Sequence, residues 1–154
     1  MGGIYGNGDC NIIIWWRILI EKSKMKMIKF KVYGKPVPKG RPRFTRKGFA
    51  YTPQTTRDAE QGFLAQAIKF KPKAPLTCAL KVTLVFAMIK PKSKPKKVKY
   101  WITKPDLDNF IKLVDSMNGI FWISDSQIVE IYAKKIYDIN EYTEIKIEEL
   151  DETL

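Results

Sequence analysis

Leu80, Val82, Leu84 and Phe86 occupy every second position of one run, and that alternation sets the architecture of the chain. A period of two puts successive side chains on opposite faces of an extended strand. A strand satisfies its backbone groups only beside other strands, so residues 78–89 predict a sheet. Ile28, Phe30 and Val32 alternate with Lys29, Lys31 and Tyr33 in the same way. Residues 128–136 and 142–147 read as two further strands joined by a turn at 138–141. Helical spacing falls between them. Ala59, Phe63, Ala67 and Phe70 mark one helix over 56–70, with Thr52 as a candidate N-cap and Pro53 at its start. Leu107, Phe110, Ile111, Val114 and Met117 mark a second, stopped by Asn118-Gly119. The order strand, helix, strand, helix, strand, strand predicts an α+β fold, a small mixed sheet of about four strands with two helices packed on it.

The 154 residues suit one domain and contain no internal repeat. Residues 34–52 form a loop rich in Pro, Gly and Arg, and 91–103 a Lys-rich connector. Residues 1–24 read unlike the rest. Met25 and Met27 each precede a strand pattern, so translation is expected to start at one of them, leaving 1–24 as an atypical extension. The folded domain is expected over 25–150, followed by an acidic tail at 151–154. Residues 12–20 are the longest apolar run, and Arg17 interrupts it. No run reaches the roughly 20 apolar residues of a membrane helix, and Asp9 stands where a signal peptide carries basic residues.

Charge narrows the function classes. The chain carries a net +12. Between positions 28 and 137, 23 Lys and Arg stand against 7 Asp and Glu, whereas 138–154 holds 7 acids and one Lys. Such a balance suits a polyanionic partner. Four of the seven acids in the basic part fall between Asp106 and Asp125. A surface built to hold nucleic acid repels carboxylates, so a tight acidic group within it calls for a divalent cation.

Histidine is absent, which excludes a Ser-His-Asp triad, a Cys-His nucleophile and any His-ligated metal. Cys10 and Cys78 form no CxxC, suggest neither disulfide framework nor zinc site, and fit a reduced cytoplasmic setting.

The central segment is Lys104-Pro105-Asp106-Leu107-Asp108-Asn109-Phe110-Ile111-Lys112. Pro105 keeps the approach extended. Asp106 and Asp108 then share one side while Leu107 turns inward. Asp108 is also placed to cap the helix, and Lys112 lies on its face one turn on. Trp122-Ile123-Ser124-Asp125-Ser126-Gln127 brings a third carboxylate just before a strand. Hard oxygen ligands hold Mg²⁺, which keeps several of its waters. Such an ion activates water and stabilises an in-line displacement at phosphorus, and a nearby lysine adds positive charge at the phosphate. Taken alone, a D-x-D-N before a helix is more often a cap and a turn.

The run Pro105-Asp106-Leu107-Asp108-Asn109, then Lys112, Asn118-Gly119, Trp122 and Asp125-Ser126-Gln127-Ile128-Val129, resembles the signature of the RusA endodeoxyribonucleases. Upstream, Pro36-Val37-Pro38-Lys39-Gly40-Arg41-Pro42-Arg43 is similar to a P-x-P-K-x-R-P-R segment of one branch of that family. One departure is Ser124, where many members carry a second Asp. The resemblance covers about residues 26–147. It implies homodimers that bind four-way DNA junctions and nick opposed strands with Mg²⁺, for which Mn²⁺ can substitute. It assigns Asp106, Asp108 and Asp125 to metal binding and catalysis, and Lys112 as the essential lysine.

Two basic clusters are the candidate DNA contacts. Lys35, Lys39, Arg41, Arg43, Arg46 and Lys47 share the first loop, where Arg suits bidentate phosphate contact. Lys94, Lys96, Lys97 and Lys104 belong to the second, suited to tracking phosphates. Tyr100-Trp101 beside them reads equally as a stacking platform or as core, and Phe121 and Trp122 as core. The expectation is a cytoplasmic Mg²⁺-dependent Holliday junction resolvase of DNA recombination and repair. The alternatives are a non-catalytic branched-DNA-binding protein and a nuclease for flaps or forks.

Overall fold

A computed structural model describes residues 27–40 and 43–150 of the chain. Among the described residues six strands and two α-helices follow one another as β1 (Met27–Tyr33), β2 (Arg43–Phe44), β3 (Ala50–Tyr51), α1 (Gln54–Ala67), β4 (Ala79–Ile89), α2 (Leu107–Ile111), β5 (Ile128–Asp138) and β6 (Tyr142–Leu150). Three short 3-10 helices extend this order at Ile68–Phe70, Lys112–Met117 and Asp125–Gln127. The expected α+β class, with four sheet strands and two helices, is what the chain adopts. The expectations for residues 1–24 and 151–154, and the apolar run at 12–20, lie outside the described residues.

The main sheet has the order β1-β6-β4-β5. β6 pairs antiparallel with both β1 and β4, placing Ile145 between Phe30 and Leu84. β4 and β5 are parallel, with Leu84 beside Ala133. A parallel pair needs a crossover, and residues 90–127, carrying α2, supply it. The alternation at 80–86 has its predicted result: Leu80, Val82, Leu84 and Phe86 all lie in the core. Phe63 and Ala67 of α1 meet them from one helix, and Phe110, Leu113, Val114 and Met117 from the second. Phe30 stacks on both Phe70 and Phe121, at 5.0 and 5.5 Å between ring centres. On intervening strand positions, Lys29 and Lys31 pair with Glu144.

Local details differ from expectation for readable reasons. α1 begins at Gln54 with Pro53 as its N-cap residue, and no side chain caps it, Thr52 included. The second helix is α-helical only to Ile111 and tightens into a 3-10 helix from Lys112. Asp115 and Ser116 are weak helix formers, and the Ser116 hydroxyl donates to the Leu113 carbonyl instead. Gly119, at φ +74°, turns the chain out as the Asn-Gly stop predicts. Residues 34–52 are not wholly loop: β2 and β3 form a hairpin closed by Thr45 and Phe49.

β5 lies at one edge of the sheet. Among the described residues its outer side is met only at 135–137, where Lys99, Tyr100 and Trp101 pair with it. Val129, Ile131 and Tyr132 are exposed along the open part. No helix among the described residues is long and apolar enough to cross a membrane.

Candidate active site

Asp106 and Asp108 stand at the start of α2, on either side of Leu107, which packs against the core. Here the N-cap position falls to Asp106, not to Asp108 as the sequence suggested, and the Asp106 carboxylate makes no capping hydrogen bond. Both aspartates are exposed. One turn on, the Lys112 ammonium is 3.8 Å from the Asp108 carboxylate. Both side chains are about half exposed or more, so the pair adds little stability and leaves both groups open to a ligand.

The approach to Asp106 is held from β5. Lys135 donates to the carbonyl oxygens of Thr103 and Pro105 at 2.8 and 2.6 Å, and its ammonium lies over the Trp101 ring. The Trp101 indole N–H donates to the Thr103 hydroxyl at 2.7 Å. The Lys104–Pro105 peptide is cis. Trp101 is 6% exposed and Tyr100 64% exposed, so of these two Tyr100 is the one on the open surface. Phe121 and Trp122 are fully buried, as expected. Lys135 was not legible as a site residue, because nothing in a strand's alternation marks which lysine turns back onto a loop.

Asp125 occupies a separate, strongly built turn. Ser124 and Gln127 form a capping box around it. The Gln127 side-chain oxygen accepts from the backbone N–H groups of Ile123 and Ser124, and its amide donates to the carbonyls of Leu76 and Cys78. The Ser124 hydroxyl accepts from Ser126 N–H and so caps this turn. The S-x-x-Q spacing is the signal that could have revealed this turn from sequence.

The structure brings Asp106, Asp108 and Lys112 together and leaves Asp125 apart. Asp125 precedes the first residue of β5, whereas Lys135, which grips Pro105, lies seven residues along it. At about 3.3 Å per residue, Ile128 and Lys135 are roughly 20 Å apart along β5, so the strand holds Asp125 and the Asp106–Asp108 pair toward opposite ends. The route along α2 and its 3-10 extension, eleven residues in all, gives a similar span. Accordingly, among the described residues no three Asp, Glu, Cys or His side chains form a ligand cluster.

The first basic loop is tied to this site. Lys39 N–H donates to the Asn109 carbonyl at 2.9 Å, and the Lys39 ammonium lies between Asp115 at 3.6 Å and Glu60 at 3.9 Å. Lys39 is thus engaged with carboxylates instead of standing free. Lys35, Arg46, Lys47, Lys96, Lys97 and Lys104 are exposed, and Lys94 is half-buried. Arg41 lies outside the described residues, and the Arg43 side chain is not described.

Comparison with known proteins bears on this arrangement. The chain is 33% identical over 140 residues to "Uncharacterized protein YqaN" of Bacillus subtilis (strain 168), covering 82% of this chain and 99% of that protein. A family model described as "Endodeoxyribonuclease RusA" matches residues 33–148. That span takes in the whole crossover from β4 to β5, with both acidic turns and the lysine between them, and the chain belongs to the RusA endodeoxyribonuclease family.

Proposed function

We propose that the chain is a Mg²⁺-dependent resolvase that nicks four-way DNA junctions in pairs, acting as a homodimer in recombination and repair within the cytoplasm. The observation that carries this reading is the exposed pair Asp106 and Asp108, with Lys112 one turn away, following the lysine-rich connector and touched by the first basic loop through Lys39, in a chain of net charge +12. Two hard carboxylates at the start of α2 suit an octahedral Mg²⁺, which takes one or two carboxylates and retains water. The ion, or Mn²⁺ in its place, supplies charge neutralisation at the phosphate and a water of lowered pKa. In this reading Lys112, which is 3.8 Å from the Asp108 carboxylate, meets a phosphate oxygen, and Lys135 fixes the peptide that carries Asp106. The exposed basic residues of both segments hold the strands electrostatically, with strong salt dependence.

The third carboxylate requires a second chain. A two-fold axis through the open edge of β5 would run two copies of that strand antiparallel, so the start of one lies beside the end of the other. The partner subunit's Asp125 then approaches Asp106 and Asp108, closing a separation that one chain leaves open. Val129, Ile131 and Tyr132 are the apolar groups available to that contact.

A synthetic four-way junction tests the reading. Wild-type protein should nick it only with Mg²⁺ or Mn²⁺, and Asp108→Asn should lose about a hundred- to a thousandfold in cutting, the scale on which losing a charge-stabilising group in an active site is felt, while still binding. Junction binding without cutting in either metal would leave a binding protein. Faster cutting of flaps or forks in direct competition would assign the same site to a different branched substrate.

A further inference from the structure

A cavity of about 560 Å³ opens between the two basic segments. Lys35, Pro36 and Val37 border it from the first segment, and Pro91, Lys104 and Pro105 from the second. Its lining is largely apolar and includes Met88, Ile89 and Tyr137, with Trp101 beside them. Its volume lies within the roughly 300–1,000 Å³ of clefts that take small organic groups. Two exposed ammonium groups, Lys35 and Lys104, stand at its border. Pro105, at one end, is bonded directly to Asp106. A largely apolar cleft with cations at its border, one residue from the candidate metal ligands, suits a nucleotide: a base for the apolar lining and phosphates for the lysines.

We propose that this cavity receives one unstacked nucleobase of the strand being cut and reads its identity next to the scissile phosphate. This rests on the nuclease reading above and adds the determinant of substrate choice. A base paired within duplex DNA cannot enter such a slot without leaving its stack. At an opened branch point the flanking base pairs have lost a stacking neighbour on one side, so extrusion costs less there than within continuous duplex. Linear duplex would therefore engage the lysines alone, whereas a junction gains the base contact as well. Branch selectivity and sequence preference at the cut would share one physical origin.

The test steps a single abasic nucleotide through the positions flanking the cut in a synthetic four-way junction. In wild-type protein one position should lose roughly tenfold in cutting, the scale of one base–aromatic contact, with its neighbours changed less than about twofold. Val37→Trp, on an exposed loop, should fill the cavity, cut the intact junction roughly tenfold more slowly and no longer distinguish the abasic substrate. Binding without metal gives an independent readout. 2-Aminopurine stepped through the same positions should change in fluorescence at one of them with wild type and at none with Val37→Trp. A flat abasic profile, or a Val37→Trp profile identical to wild type, overturns the pocket. If wild-type protein binds junctions and never cuts them, the nuclease reading fails while the fluorescence comparison still decides the pocket. Absence of junction binding removes both.

Discussion

Tyr142 and Asp138 illustrate how a single polar pair fixes the end of a strand. The Tyr142 hydroxyl donates to the Asp138 carboxylate at 2.7 Å, and Ile139 N–H donates to its second oxygen. Lys31 lies 4.2 Å from the Tyr142 ring centre. The bond from Tyr142, helped by the one from Ile139, holds the Asp138 carboxyl below its ordinary value of 3.8. The same bond, with burial, pushes the Tyr142 phenol up to about 12. The signs differ in consequence. A raised tyrosine contributes stability that is complete below pH 10 and is lost as pH climbs toward 12. A lowered aspartate contributes stability present above pH 3.8 and lost as pH falls below it. In urea titrations, Tyr142→Phe should flatten the stability profile across pH 10 to 12 and weaken the acid arm below pH 4. An unchanged alkaline slope would mean that the phenol does not titrate with unfolding.

Among the elements, β5 does two jobs: it forms the sheet edge, and through Lys135 it holds the loop before Asp106. Lys135→Met keeps the aliphatic stem against Trp101 and removes two charge-assisted bonds, each worth about 1.5–3 kcal/mol before exposure reduces it. Single-turnover nicking should fall roughly tenfold, the cost of a small misplacement of Asp106, while junction affinity changes less than about twofold. An equal loss of both would assign Lys135 to DNA binding instead. At this scale much of the fold was legible in sequence, because apolar periodicity directly encodes which face is buried. The alternations at 28–32 and 80–86 and the stripe at 107–117 each became core. The hairpin of β2 and β3 was not, since two-residue strands carry no period. The tightening of the second helix after Ile111 was missed because a stripe of five apolar residues fits 3-10 and α spacing nearly equally. Candidate carboxylates were legible as residues, from charge and resemblance. Their positions in space were not: periodicity carries no information on which end of a crossover a turn will occupy.

The arrangement of those ends makes the whole molecule, not the single chain, the unit of catalysis in this reading. If each site combines Asp106 and Asp108 of one subunit with the partner's Asp125, two inactive variants can restore each other. In a heterodimer of Asp108→Asn with Asp125→Asn, one site inherits both defects and the other inherits neither. If each site lay within one subunit, every site in the mixture would carry one lesion. Coexpressed variants that assort freely give heterodimers as about half of all dimers, so about a quarter of wild-type sites should be active, provided the dimer is a closed two-fold. The measurement is single-strand nicking of a four-way junction by the coexpressed pair, with each variant alone as a blank. Only one competent site exists per heterodimer, so the product should be nicked junction with few paired cuts. Activity no greater than the blanks would return Asp125 to a structural role at the entry to β5 and leave the Asp106–Asp108 pair, with Lys112, as the full set of reacting groups.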